Sequence, residues 1–173
     1  MKENLKNKKL WVTVGIPGSG KSTWIKNHKD KVEGTSKVVS RDAIRFALVA
    51  EDEDYFSKEK EVFRKFIEEI KDGLANYDNT FVDATHLSPG SRRKLFNNLG
   101  TSLKEVDKIA VVINPSLETV LAQNAQRTGR CFVPEDVIMN YKESFSYPKP
   151  EEGFDEIWYY DERGLTGHLY DFV

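Results

Sequence analysis

The sequence predicts an α/β domain: a doubly wound, five-stranded parallel sheet flanked by helices and completed by a short lid. Three observations predict it. Short β-branched runs alternate along the chain with segments of helical periodicity. One run, Ile109 to Ile113, is apolar throughout, the pattern of a strand buried on both faces of a parallel sheet. A glycine-rich loop stands between the first β-like run and the first helical segment, where a doubly wound sheet opens its ligand crevice.

The elements follow in order. Leu10 to Val14 reads as the first strand and Lys21 to His28 as the first helix. Lys37 to Ser40 is a second strand that leads into a helix from Arg41 to about Ala50, followed by the acidic connector Glu51 to Asp54. From Ser57 onward, Val62, Phe63, Phe66, Ile67, Ile70 and Leu74 recur at helical spacing, the stripe of an amphipathic helix packed on the sheet. Thr80 to Asp83 is a third strand; Ser88 and Pro89 then supply an N-cap and a first-turn proline, and Gly100 ends that helix. Ile109 to Ile113 precedes Pro115 and another helix. Val133 to Asp136 opens a further one with buried Val137, Ile138, Tyr141 and Phe145, stopped by Pro148 and Pro150. Phe154 to Tyr160 is the last strand.

At 173 residues the chain fits one domain, placed at 10–162 between a basic tail, 1–9, and a C-terminal tail, 163–173. No apolar run approaches the roughly 18 residues of a membrane span, and no apolar region follows Met1 to Lys9 as a secretory signal requires. Cys131 is the only cysteine, which excludes an internal disulfide and a multi-thiolate metal site and suits the cytoplasm. With 26 basic and 28 acidic residues, the net charge of -2 provides no footprint for coating long nucleic acid, so any such contact is local.

The segment Gly15-Ile-Pro17-Gly18-Ser19-Gly20-Lys21-Ser22-Thr23 satisfies G-x-x-x-x-G-K-S/T in the required strand-to-helix context, and identifies the fold as a P-loop NTPase. Glycines let backbone N–H groups curl round phosphates, and the following helix N-terminus adds a favourable dipole. Lys21 reaches the β and γ phosphates of ATP, and Ser22 holds Mg²⁺.

Directly after the second strand stands Ser40-Arg41-Asp42-Ala43-Ile44-Arg45. Asp42 and Arg45, three residues apart on a helix, share a face, whereas Arg41 is turned about 100° from Asp42. A carboxylate there accepts the proton of an attacking hydroxyl, with the arginine beside it holding an anionic part of the acceptor; equally, it is a capping Asp with an i,i+3 ion pair. Asp83 ends the third strand, where it either orients Mg²⁺ through water or caps the next turn, and Arg41 and Thr85 complete the acceptor-side set. His86 reads as structural, and Ser91-Arg92-Arg93-Lys94 as a solvated basic helix face. Arg127-Thr-Gly-Arg130 interrupts the helical pattern and suggests a mobile lid whose arginine closes over the γ-phosphate; a plain surface loop is the alternative.

From Leu10 to about Tyr160 the chain resembles the 5'-hydroxyl polynucleotide kinase family. Three features carry the resemblance: the phosphate loop running into Trp24, the Ser-Arg-Asp42-x-x-Arg45 block, and Asn124-x-x-Arg127 leading through Arg130 to Val133-Pro134. It implies that Lys21 and Ser22 bind ATP and Mg²⁺, that Asp42 is general base for a DNA or RNA 5'-OH, that Arg45 grips the adjacent phosphate, and that Arg127 contacts the donor phosphates. The chain departs from the phage end-healing members in having neither the length nor an Asp-x-Asp-x-Thr segment for a 3'-phosphatase, and in a slightly longer Arg127–Pro134 lid, so Arg127 and Arg130 both stand as lid arginines. Two other classes fit the phosphate loop: a small-molecule or toxin-like kinase, and a non-enzymatic NTP-gated binding module.

Overall fold

The computed structural model describes residues 6–170. Its sheet contains β1 (Lys8–Val14), β2 (Ser36–Ser40), β3 (Asn79–Asp83), β4 (Val106–Ile113), β5 (Glu156–Asp161) and β6 (Gly164–Tyr170), in spatial order β2-β3-β1-β4-β5-β6. The first five pair in parallel, as the alternating pattern predicts. Parallel neighbours need crossovers. These are supplied by α1 (Lys21–His28), α2 (Arg41–Leu48), α3 (Glu59–Asn76), α4 (Pro89–Leu99), α5 (Leu117–Ala125) and α6 (Glu135–Ser144). The chain winds to one side of β1 through β2 and β3 and then to the other through β4 and β5, so the strand order switches at β1, beside the phosphate loop.

The two tails need correction. Lys8 and Lys9, expected in the basic tail, open β1 and pair with Val106 and Asp107. Residues 164–170, expected in the C-terminal tail, form β6, which turns back through Glu162 and Arg163 to pair antiparallel with β5. The short turn at Glu162 and Arg163 folds this segment back onto the open edge of β5, whose backbone groups from Glu156 to Asp161 it pairs. Of the rest of the two tails, 1–5 and 171–173 lie outside the described residues.

Alternation along β1 divides the core. Leu10, Val12 and Val14 face the cluster closed by the α3 stripe, where Val62, Phe66, Ile67, Ile70 and Leu74 are all buried, as their spacing predicts. Trp11 faces the opposite cluster with Trp24, Ile25 and Phe81. Each such burial stabilises the fold by about 1.5–3 kcal/mol. At the head of α4, Ser88 and Ser91 cap reciprocally around Pro89, and Gly100 ends the helix.

Arg92 is the exception to the expected solvated face of α4. It is fully buried: Nε and Nη2 donate to Glu152 at 2.6 and 3.2 Å, and Nη1 donates to the carbonyls of His86 and Ser146 at 2.8 and 3.1 Å. One guanidinium thereby ties the loop after β3 to the loop after α6. Arg93 and Lys94 are exposed as expected.

Candidate active site

The phosphate loop is shaped by contacts only glycine permits. A Cβ on Gly15 would stand 2.7 Å from the Ile113 carbonyl, so the loop leaves β1 pressed against the end of β4. Gly20, at φ 104°, turns the chain left-handed into α1. Gly15 N–H donates to the Thr85 carbonyl at 3.0 Å, tying the loop to the segment after β3. The head of α1 has neither a side-chain cap nor an acid in its first turn, which leaves its N–H groups to an anion.

Lys21 is buried, and its Nζ donates to the Ile16 carbonyl at 2.9 Å. Burial lowers its pKa to about 8, against the opposing fields of Asp83 and then Asp42 and with a further push down from Arg127. Ser22 Oγ donates to Asp83 Oδ2 at 2.5 Å. This pair offers hard oxygen donors suited to Mg²⁺. Among the described residues no group of three or more His, Cys, Asp or Glu could hold a metal, so a cation here takes its other ligands from phosphate and water.

Asp42 and Arg45 do meet on one face of α2, whose first turn is capped by Ser40. Asp42 Oδ1 accepts from Arg45 Nη1 at 2.6 Å and from the Tyr55 hydroxyl at 3.1 Å. Arg45 is only 6% exposed, and its Nε and Nη2 donate to Glu59 at 2.6 and 3.0 Å. Burial opposes its charge, but the Glu59 hydrogen bonds and the fields of Tyr55 and Glu59 outweigh that and raise its pKa. Sequence reasoning missed Glu59 and Tyr55; the one available signal for Glu59 was an acid at the head of the next helix. Arg41 donates to Glu59 at 3.2 Å and lies over Phe63 and Phe66.

Two cavities flank the loop. One, of about 500 Å³, is lined by Asp42, Asp83 and Thr85 and by the rings of Tyr55, Phe56 and Phe132. The other, of about 890 Å³, runs from Gly18 past Thr23 to Arg163. Both reach Lys21, Ser22 and Arg127, so the three stand where the cavities meet. Pro17 lies on the Asp42 side, while Ser19 and Gly20 lie on the other.

The lid spans α5 to α6. Asn124, 3% exposed, clamps it: Nδ2 donates to the Val133 carbonyl at 2.6 Å, and Oδ1 accepts from Val133 N–H at 3.1 Å. Arg127 has a buried Nη1 with no hydrogen-bond partner among the described residues. Arg130, expected beside the donor phosphates, lines the same cavity as Lys21 and Arg127, but its guanidinium is turned to α2. Its guanidinium donates to the Val49 and Phe46 carbonyls at 2.7 and 3.4 Å and lies over the Phe46 ring, fastening the lid to the end of α2. Those carbonyls carry the negative end of the helix dipole, which holds the arginine there. His86 is structural as expected: it is buried, with Nδ1 bonded to the Thr13 carbonyl at 3.1 Å, and burial lowers its pKa to about 4.

Solved structures share this architecture. A chain of the Pnkp1/Rnl/Hen1 RNA repair complex matches with TM-score 0.67 at 24% identity over 83% of the present chain, which spans 45% of that one. A gluconokinase from Sinorhizobium meliloti 1021 matches with TM-score 0.57 at 17% identity, covering 92% and 84% of the two chains. Kti12 from Chaetomium thermophilum, in complex with ADP-AlF3, matches with TM-score 0.62 at 14% identity over 88% and 89%. Among the described residues no helix is long and apolar enough to cross a membrane. The family named AAA_33, described as an AAA domain, matches residues 10–148, which include the phosphate loop, Asp42, Asp83 and the whole lid. The chain therefore belongs to the AAA_33 family, with a P-loop kinase-like fold that implies nucleotide binding.

Proposed function

We propose that the protein is an ATP-dependent polynucleotide kinase that transfers the γ-phosphoryl group to 5'-hydroxyl ends of DNA or RNA. The observation that carries this reading is the junction of the two cavities at Lys21, Ser22 and Arg127, with Asp42 on one side and the glycine cradle on the other. ATP enters from the cradle side. Its phosphates take the open N–H groups of α1, the Lys21 ammonium and the unpartnered Arg127 Nη1. Ser22 would hold Mg²⁺ directly and Asp83 through its water shell; when bound, the ion neutralises charge on the phosphates.

The acceptor enters from the other side. Asp42 Oδ1 is occupied, and Oδ2 has no hydrogen bond from the described residues, leaving it to take the proton of the 5'-OH. The deprotonated oxygen bonds to the γ-phosphorus as the bond to the bridging oxygen breaks, giving a 5'-phosphate and ADP. Arg45 orients Asp42 through Nη1, and Arg41 and Arg45, which both line this cavity, would hold the acceptor phosphate. The exposed rings Phe56 and Phe132 line this cavity beside its polar groups, a surface suited to stacking a nucleobase. Involvement of the Pnkp1/Rnl/Hen1 assembly in RNA repair agrees with this choice of acceptor. The exposed Cys131, without a disulfide partner, agrees with a reducing cytoplasm.

Incubation with labelled ATP, Mg²⁺ and matched 5'-OH RNA and DNA oligonucleotides, beside gluconate and free nucleosides, tests the reading. Label on oligonucleotide ends supports it. Label on the small molecules alone, or no transfer at all, removes it.

A further inference from the structure

Three segments around the acceptor cavity differ in charge. The connector from α2 to α3 exposes Glu51, Asp52, Glu53 and Asp54, of which only Glu53 has an ion-pair partner, Lys58, among the described residues. The head of α6 exposes Glu135 and Asp136, between Pro134 and Val137 of the cavity lining. Both segments repel phosphates. The third segment follows Thr85, another lining residue: no acid occurs between Asp83 and Glu105, and α4 exposes Arg93 and Lys94. In a chain of net charge -2 this is a local basic surface.

A fixed arrangement of side chains joins that surface to the cavity. Glu59 lines the cavity at the head of α3, and Phe63 lies one turn further along the same face. Two cations flank the Phe63 ring: the Arg41 guanidinium, 5.5 Å from its centroid, and the Lys94 ammonium, at 4.3 Å. Arg41 itself lines the cavity, and its Nε is buried with no hydrogen-bond partner among the described residues. A buried donor left in this state points to a group supplied from outside. The ring attracts both charges and keeps them in place, so little side-chain freedom is left to lose when an anion binds them.

We infer that a single strand bound by its 5' end leaves the acceptor cavity over Arg41, Phe63 and Lys94, with Lys94 on the phosphate beyond the one held by Arg41 and Arg45. The inference rests on the proposed polynucleotide acceptor and deepens it, because the strip favours a strand over a lone nucleotide. A phosphate contact of this kind carries no base preference.

The test measures steady-state transfer to a nucleoside 3'-monophosphate and to a 5'-OH hexanucleotide, with anisotropy titration of the 3'-labelled hexanucleotide at several salt concentrations. The proteins are the native chain, Lys94→Ala, Lys94→Arg and Lys31→Ala; Lys31 is exposed and outside the cavity lining, so its loss controls for net charge. One phosphate contact to a single strand contributes about 0.7 to the salt slope, or about fivefold in affinity at about 0.1 M salt. Lys94→Ala is therefore expected to raise KM for the hexanucleotide about fivefold at unchanged kcat, to reduce the salt slope by about 0.7, and to leave the mononucleotide within about twofold. Lys94→Arg restores both quantities, and Lys31→Ala alters neither. Unchanged hexanucleotide KM and slope in Lys94→Ala, an equal loss with the mononucleotide, or a matching loss in Lys31→Ala would overturn the strip and leave the kinase reading standing. Hexanucleotide binding that depends on Lys94 without any transfer of label would remove the kinase reading and keep the strip. No hexanucleotide binding at all overturns both.

Discussion

Lys21 supplies a prediction with a defined sign. In the free protein its ammonium is buried and its pKa is about 8, well below the ordinary 10.5. Bound phosphates would replace lost hydration with negative charge and raise that value, so nucleotide binding becomes coupled to protonation. Below pH 8 the free protein already carries the charge, and affinity is flat. Above it, protein must first take up a proton, and affinity falls by up to about tenfold per pH unit. At pH 9 about nine-tenths of the free protein has neutral Lys21, so ATP binding is about tenfold weaker than at pH 7 and takes up about 0.9 proton. Titration calorimetry in two buffers of different ionisation enthalpy measures that proton directly. Lys21→Met removes the uptake along with most of the affinity. Flat affinity from pH 7 to 9, with no proton taken up by the native chain, would refute the reasoning.

Other expectations follow from the same contacts. Arg92→Met strands Glu152 and two carbonyls and is expected to cost about 3–5 kcal/mol, read from urea unfolding. Asn124→Ala removes both bonds to Val133 and is expected to cost about 2 kcal/mol and weaken donor binding, whereas a loss below about 0.5 kcal/mol would contradict the clamp. His86, with a pKa of about 4 in the fold against 6.5 ordinarily, contributes stability that is full above pH 6.5 and is lost as pH falls toward 4. That loss is roughly 3 kcal/mol, and a His86→Asn variant should show an unfolding curve flatter by that amount over this range.

The parts of the site that could be read from sequence are those encoded within a few residues. The phosphate loop is a contiguous motif, Asp42 and Arg45 are one helical turn apart, and Asp83 follows directly on a β-branched run. What escaped depends on chain folding back from a distance. Arg92 looks solvated in an Arg-Arg-Lys run, and its burial is accounted for by Glu152, 60 residues on, with the His86 and Ser146 carbonyls. Glu59 reaches Arg45 across the loop that carries Tyr55, and Arg130 finds carbonyls more than 80 residues earlier. β6 has two glycines and no alternating apolar pattern; its strand character comes from the edge of β5. Phe56 and Phe132 are brought to one cavity by the α2–α3 connection and the lid, with no local pattern linking them.

Asp42→Asn bears on the proposed chemistry without disturbing the cradle. The amide keeps the shape and an oxygen for Arg45 and Tyr55, but cannot take the proton of the hydroxyl. Measured side by side, transfer of label from ATP to a 5'-OH oligonucleotide should fall by about 10²- to 10⁴-fold while ATP affinity stays within about twofold. Transfer at the native rate, with Asp42 replaced and ATP still bound, would contradict the assignment of this carboxylate as the base.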